Sequence, residues 1–429
     1  MKRPVVIVLL TVALLFVLAG IGAVVFFSIR GADFAFNINL VSATAEESKT
    51  LNVDTEKPVI LSVDDDAGEV SVVGGDVEAV EVRIVKTGNA PTQSRAEEDL
   101  KKIKYEIKQN GNSITLLYKL DGIQSNHIDT VDFIVTVPTE TVVEIENNLG
   151  KVDVADVKGS VNIASDFGDV TVKNIEGALS LENSSGGIEI SNVDAGAQDV
   201  KVDADFGNIK LEKVNGRDIN IKSNSGKLTF INVRATGDLF AKSDFGDVTF
   251  ENGSAASVTL DTNSGKISIT RVNIRGALTI TNDFGEIELN QAMAGSYDLK
   301  TNSGSVTIDG AKGKLKAHTD FGNINIQNAQ SVTLDIKTNS GTIDFSGSLG
   351  EGPHSVISDF GGIDLALPAD SKLSVDLKTD FGNISSDIPL TVTLDGSSEK
   401  NRQVGTMNGG GGQLIVKTNS GGINITAIK

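Results

Sequence analysis

The chain has 429 residues, with 38 basic and 57 acidic side chains, a net charge of −19, 45 Gly and neither Cys nor Trp. The lack of Cys excludes a disulfide scaffold, a thiolate metal site and a cysteine nucleophile. The acidity argues against nucleic-acid binding, which needs basic patches that displace counterions. His127, His318 and His354 stand too far apart in sequence for a local zinc motif, so neither a metal nor a cofactor is expected.

Met1-Lys2-Arg3 is followed by an uncharged, largely apolar run from Val5 to Ile29. As a helix, those 25 residues would span roughly 37 Å, enough for a bilayer core of about 30 Å. A cleaved signal peptide normally has an apolar core of only about 7–15 residues, so the run predicts a retained transmembrane signal anchor over 1–30. Lys2, Arg3 and the amino terminus precede the run and only Arg30 closely follows it. That bias places the N-terminus inside a cell membrane and the bulk of the chain outside, as a single-pass protein; the resemblance described below implies that the cell is bacterial. Residues 1–30 carry +3, so the exported part carries −22.

Residues 31–56 are polar and mixed, and read as a membrane-proximal linker. Residues 57–145 read as a β-rich capping segment: alternating runs around Ile60, Val70–Val72 and Val80–Ile84, one short helix over 92–103 behind Pro91, a hairpin from Tyr105 to Leu117 around Asn110-Gly111, and a strand from Val131 to Val137 stopped by Pro138. A stack of strands needs its end covered, which gives such a segment its purpose.

From 146 to 429 the chain repeats itself. Asp-Phe-Gly recurs at Asp166, Asp205, Asp244, Asp283, Asp320, Asp359 and Asp380, and Asn-Ser-Gly falls between at Asn224, Asn263, Asn302, Asn339 and Asn419. The unit is 19–20 residues long, and two kinds alternate. Apolar residues keep fixed offsets from each Gly: two after it (Val170, Ile188, Ile209), four after it (Val172, Ile190, Leu211), five before it (Leu181, Val202, Ile221) and seven before it (Leu179, Val200, Ile219). The period of two within each run predicts strands with one buried face. So short a unit cannot bury that face alone, but stacked copies can. The fold predicted is all-β: a parallel β-solenoid of about 14 rungs, roughly 65 Å long. A β-propeller built from the 39-residue double unit is the competing reading.

The alternation at the turn has a physical use. Like residues stack only every second rung, about 9.6 Å apart. Carboxylates then lie beyond a Debye length of about 8 Å, and the intervening Asn can donate to one Asp. The direction of Phe stays open. Counting by twos from the apolar positions before Gly turns it inward, whereas counting back from those after Gly turns it outward. The inward reading makes it a corner plug, which avoids a sticky patch and is the favoured one. The outward reading makes Phe167, Phe206, Phe245, Phe284, Phe321, Phe360 and Phe381 an exposed binding ridge. Asp359 and Asp380 belong to consecutive units, so their carboxylates are expected one strand spacing apart, as solvated acids or, less simply, around a shared cation. The D-F-G triplet resembles a kinase metal-binding motif, but it occurs seven times without a catalytic H-R-D-x-x-x-x-N loop.

Residues 386–412 lack the triplet and include the run Gly409 to Gly412, read as a flexible loop. A last Asn-Ser-Gly unit follows. No catalytic constellation stands out, and Arg271 with Arg275 reads as a solvated pair. The expected function is therefore that of a non-catalytic surface protein, an adhesin or envelope scaffold, whose partner is a cell-surface or envelope component. Two alternatives stay open: an envelope-stress sensor that captures cationic peptides on the acidic ectodomain, and a polysaccharide-active enzyme using paired carboxylates.

Val131-Asp132-Phe133-Ile134-Val135-Thr136-Val137-Pro138, then Val143-Glu144-Ile145 and the Gly-centred repeats, resemble a bacterial "putative adhesin" family of β-strand-repeat proteins with no assigned function. The hairpin Gln109-Asn110-Gly111-Asn112 and the closing stretch with Asp387-Ile388-Pro389-Leu390, a Gly-rich loop and a last Asn-Ser-Gly unit fit the same pattern. The resemblance implies a right-handed, single-stranded β-helix at the cell envelope. It implies no functional residues. Some relatives look like envelope-stress proteins that respond to membrane-active peptides.

Overall fold

The computed structural model describes residues 40–120, 127–393 and 401–428. The expected anchor lies outside them, and no helix among the described residues is long and apolar enough to cross a membrane.

The described residues form an all-β parallel solenoid with one short helix. The turn β8 (Thr141–Leu149) and β9 (Val152–Val157) shows how each rung is built. The next rung, β10 (Val161–Phe167) and β11 (Val170–Glu176), stacks on it in parallel, with Val161 beside Val143 and Val170 beside Val152. The strands before each turn Gly form a front sheet. Those after it form a back sheet. A third, shorter side returns the chain to the front. Each apolar offset read from the sequence is buried: Leu179 and Leu181 in front, Val170 and Val172 behind. The third side adds a position the sequence reading passed over, seven after Gly, occupied by Ile175, Val193, Val214 and Val233. One hydrophobic cluster runs from Val59 to Ile425. The pairing is parallel and in register from rung to rung, which overturns the propeller, whose blades are separate four-stranded sheets.

The stack follows chain order for about 11 turns, fewer than the 14 expected, and the chain leaves that order at both ends. At the N-terminal end, β1 (Val41–Asn52), β2 (Val59–Asp65), β3 (Val70–Gly75), β4 (Ala79–Ala90), α1 (Gln93–Lys102), β5 (Tyr105–Asn110), β6 (Ser113–Tyr118) and β7 (Thr130–Pro138) precede the regular stack. β2 pairs with both β6 and β8, and β3 with both β7 and β9. The turn that comes first in the chain therefore sits one layer in. β5 closes β6 and β4 closes β7, both antiparallel, and β1 runs antiparallel beside β4. Residues 41–52, expected as linker, are thus a strand. The segment 57–145, expected as a separate cap, supplies turns of the stack as well as its cover.

The C-terminal end repeats the device. The strand Gly412–Ser420 lies between His354–Phe360 and Leu373–Phe381. Ile423–Ile428 likewise lies between Ile363–Pro368 and Ile384–Ser386. The last turn is held from both sides. The segment expected to be an irregular loop contains Leu390–Val392 and Arg402–Met407, which pair antiparallel over the outer turn. Inserting a terminal turn protects it from fraying, and an antiparallel cover hides the strand edge that would otherwise recruit another chain.

Two columns shape the corners. At the front–back corner a Cβ on Gly246 would stand 2.1 Å from the backbone oxygen of Gly226 one rung below, at a φ of +143°. Only Gly permits so close an approach. Six residues after each Gly, a second corner holds left-handed residues, among them Asn174, Asn192, Asn232 and Arg271. Asn tolerates that region best among residues with a side chain.

Candidate functional site

The front–back corner carries three parallel columns. The innermost lies three residues before Gly and is buried but polar: Asn183, Ser243, Asn282, Thr301, Thr319, Thr338, Ser358 and Thr418 are among its members. These side chains donate to the carbonyl of a turn Gly one layer away, as Asn282 Nδ2 does to Gly265 O at 2.8 Å and Thr319 Oγ1 to Gly304 O at 3.0 Å. They satisfy carbonyls that the corner bend removes from the strand ladder. Asp65 ends this column beside Asn147. It is fully buried, with Oδ1 accepting from the Ala67 amide at 3.1 Å. Burial, with Asp132, Asp66 and Asp64 nearby, pushes its carboxyl up to about 8.

The second column is the Asp/Asn row, and it forms the ladder its alternation suggested. Asn224 donates to Asp205 at 2.7 Å, Asn302 to Asp283 at 2.8 Å and Asn339 to Asp320 at 2.7 Å. The expected one-strand spacing of Asp359 and Asp380 is not found. The inserted final turn puts Asn419 between them, donating to Asp359 at 3.4 Å. A residue sixty positions away restores the alternation, so the two carboxylates share neither a cation nor a rung.

The third column is Phe. The favoured inward reading is overturned: Phe167, Phe206, Phe245, Phe284, Phe321, Phe360 and Phe381 are 58–79% exposed. The physical reason is the corner itself. The residue three before Gly fills the inside, and the stacked glycines leave no space beneath the bend. The next two residues, such as Asp166 and Phe167, are then both exposed, and the alternation resumes inward only at Val170. In register, Phe alternates with Ser: Phe206, Ser225, Phe245, Ser264, Phe284, Ser303, Phe321 and Ser340 occupy successive rungs. Phe360, Ser420 and Phe381 continue the row through the inserted turn, and Leu149 begins it before Phe167. At about 200 Å² per side chain, this exposure leaves roughly 900 Å² of aromatic surface in one line. The largest apolar patch of an ordinary monomer is about 300–600 Å².

Other features read from the sequence are structural. Arg271 occupies the left-handed corner and its Nε donates to Asn252 Oδ1 at 2.8 Å, while Arg275 reaches the Thr236 carbonyl at 2.5 Å. A cleft of about 300 Å³ near Thr141, Ser160 and Gln198 holds Lys158 and Glu176, which pair with each other at 3.4 Å. The buried polar column was missed by the sequence reading. Its signal is there in retrospect: a hydroxyl or amide recurs at a position whose parity is inward.

Solved structures similar to the chain include the following three. A "putative adhesin" of Bacteroides fragilis is 15% identical, with a TM-score of 0.35, over 58% of this chain and 97% of that one. A "putative cell adhesion protein" of Clostridium sporogenes is 11% identical, with a TM-score of 0.18, over 90% and 100%. A "putative adhesin" of Parabacteroides merdae is 11% identical, with a TM-score of 0.23, over 70% and 95%. No curated protein matches the chain. A family profile described as Toastrack DUF4097 matches residues 61–270 and again 252–426. Those two matches cover the inserted first turn, the regular stack and the inserted last turn, and the chain belongs to the Toastrack DUF4097 family.

Proposed function

We propose that this chain is a non-catalytic surface protein, an adhesin or envelope scaffold, that docks through the phenylalanine ridge. The observation that carries the reading is the exposed Phe row. A rigid stack presents it at a fixed spacing, and a solvent-exposed aromatic line of that area costs solubility unless something covers it. In the same reading the apolar run Val5–Ile29 anchors the chain in the membrane with its N-terminus inside, and the rod stands outside. The Asp row beside the ridge favours a second reading, capture of cationic amphipathic peptides, since carboxylates and rings alternate along one corner.

The test is a pull-down of the full chain on the cell's own envelope fraction, on foreign cells and on cationic-peptide beads, each at low and high salt. Salt-resistant binding to a cell surface that is lost on replacing Phe206, Phe245 and Phe284 with Ser supports the docking reading. Binding to peptide beads alone, lost in salt, supports the second. Unchanged surface binding by the triple variant refutes the ridge as the docking surface.

A further inference from the structure

The ridge has a feature that identifies a partner: it is complementary to itself. Phe and Ser alternate rung by rung, and Asp and Asn alternate in the adjacent row with the same parity. A second copy has an identical rung spacing, so any match made at one rung is repeated along the whole line. An in-register match sets Phe against Phe and Asp against Asp. A match displaced by an odd number of rungs sets Phe into the gaps over Ser and Asp against Asn donors along most of the line. Resting on the docking reading above, we infer that the occupant of the ridge is a second copy of this chain, antiparallel to the first, with the two lines fully overlapped.

Direction follows from symmetry and charge. Parallel copies offset by one rung leave an unmatched end and repeat head to tail, an open assembly. Antiparallel copies close on a two-fold axis. With the line from Leu149 to Phe381 fully overlapped, the axis falls between the rungs of Ser264 and Phe284. Phe284 then faces Ser264, Phe245 faces Ser303, Asp283 faces Asn263 and Asp244 faces Asn302. Phe381 meets Leu149, the one rung where Ser is replaced, and Asp359 meets Ser184, the one rung where Asn is replaced.

The front sheet is also polarised along its length. Four residues before Gly, the N-terminal rungs carry Glu146, Glu182 and Asp203. The C-terminal rungs carry Lys300, His318, Lys337, Lys417 and Lys378. Lys222 and Lys242 interrupt near the middle. Antiparallel pairing lays front sheet beside front sheet and sets Glu146 against Lys378 and Asp203 against Lys337, with Lys242 against Lys300 near the middle; parallel pairing lays the front sheet of one copy beside the back-sheet side of the other and forgoes this match. The area suffices: roughly 900 Å² of aromatic surface on each partner matches the about 800 Å² per side of a stable interface.

The chain has no Cys, so single-cysteine variants give a clean readout. The full chain, purified in mild detergent, is examined by sedimentation velocity from nanomolar to millimolar, then treated with a short bis-maleimide. A concentration-dependent dimer is expected, with its dissociation constant raised at least about 30-fold by Phe245→Ser with Phe284→Ser. Ser264→Cys cross-links, because the two copies of residue 264 lie one rung apart. Ser185→Cys does not, because its two copies lie nine rungs, about 43 Å, apart. A monomer at all concentrations overturns the inference, as does Ser185→Cys cross-linking as well as Ser264→Cys. A monomer whose ridge variants still lose envelope binding would remove the second copy as partner and leave the docking ridge standing. Ridge variants that lose neither dimer nor envelope binding would remove both.

Discussion

Phe245 and Phe250 lie five residues apart in one turn, and the structure assigns them opposite roles. Phe245 is 62% exposed on the ridge, whereas Phe250 is fully buried and meets the Phe230 ring edge to face at 6.0 Å between centroids. Replacing Phe245 with Ala removes the contact made by the covered third or so of a roughly 200 Å² side chain. At about 25 cal/mol per Å², this is about 1–2 kcal/mol. Replacing Phe250 with Ala loses the whole transfer term and leaves a cavity, about 3–5 kcal/mol, plus an aromatic pair worth about 0.5–1.5 kcal/mol. The assay is urea denaturation of both variants followed by circular dichroism, with hydrogen exchange over residues 238–251 to localise the effect, because long repeat arrays need not unfold in one step. The expected result is a small midpoint shift for Phe245→Ala and a large one, with local loss of protection, for Phe250→Ala. Equal shifts would refute the outward placement of the ridge and return Phe to the core.

Three further outcomes follow from the corner. Gly246→Ala forces a Cβ to 2.1 Å from the Gly226 carbonyl, so it should lower the melting temperature sharply and open the stack to proteolysis nearby; a near-neutral melt would contradict the close stacking. Asp65, with its carboxyl raised to about 8, keeps its proton in the folded chain while the unfolded chain releases it near 3.9. Stability should therefore fall as pH rises between about 4 and 8 and level off above. The slope approaches about 1.4 kcal/mol per pH unit, and Asp65→Asn should flatten it and raise the melting temperature at pH 8–9. A variant with the wild-type slope would show that another group sets it. Asn302→Asp replaces a donor to Asp283 with a third successive carboxylate. It should destabilise by about 1 kcal/mol at low salt and recover at high salt, and salt-independent loss would mean that geometry rather than charge explains the alternation.

The turn glycine made the repeat legible. It marks the phase of every unit, so apolar residues at constant offsets, such as Val170 and Leu181, could be assigned to the core with a strand period of two. Three features were hidden for reasons of physics. The insertion of Gly412–Ser420 between His354–Phe360 and Leu373–Phe381 is a non-local pairing, and nothing in a repeat pattern says that its last copy stacks out of turn. The direction of Phe was undetermined because a corner resets the parity on which strand reasoning depends. The polar column through Asn282 and Thr319 carries no apolar signal to mark it as buried, although a buried corner carbonyl requires a donor there. The Asp/Asn ladder was legible in its chemistry, but its continuity from Asp359 through Asn419 to Asp380 depended on the insertion.

The central claim is that an exposed aromatic line on a rigid rod is a docking surface. The most direct test compares wild type with the Phe206→Ser, Phe245→Ser, Phe284→Ser variant in binding to the cell's own envelope fraction at high salt, after both have been matched for strand content by circular dichroism. The account predicts that the variant folds and binding is lost. A folded variant that binds as wild type does would contradict it.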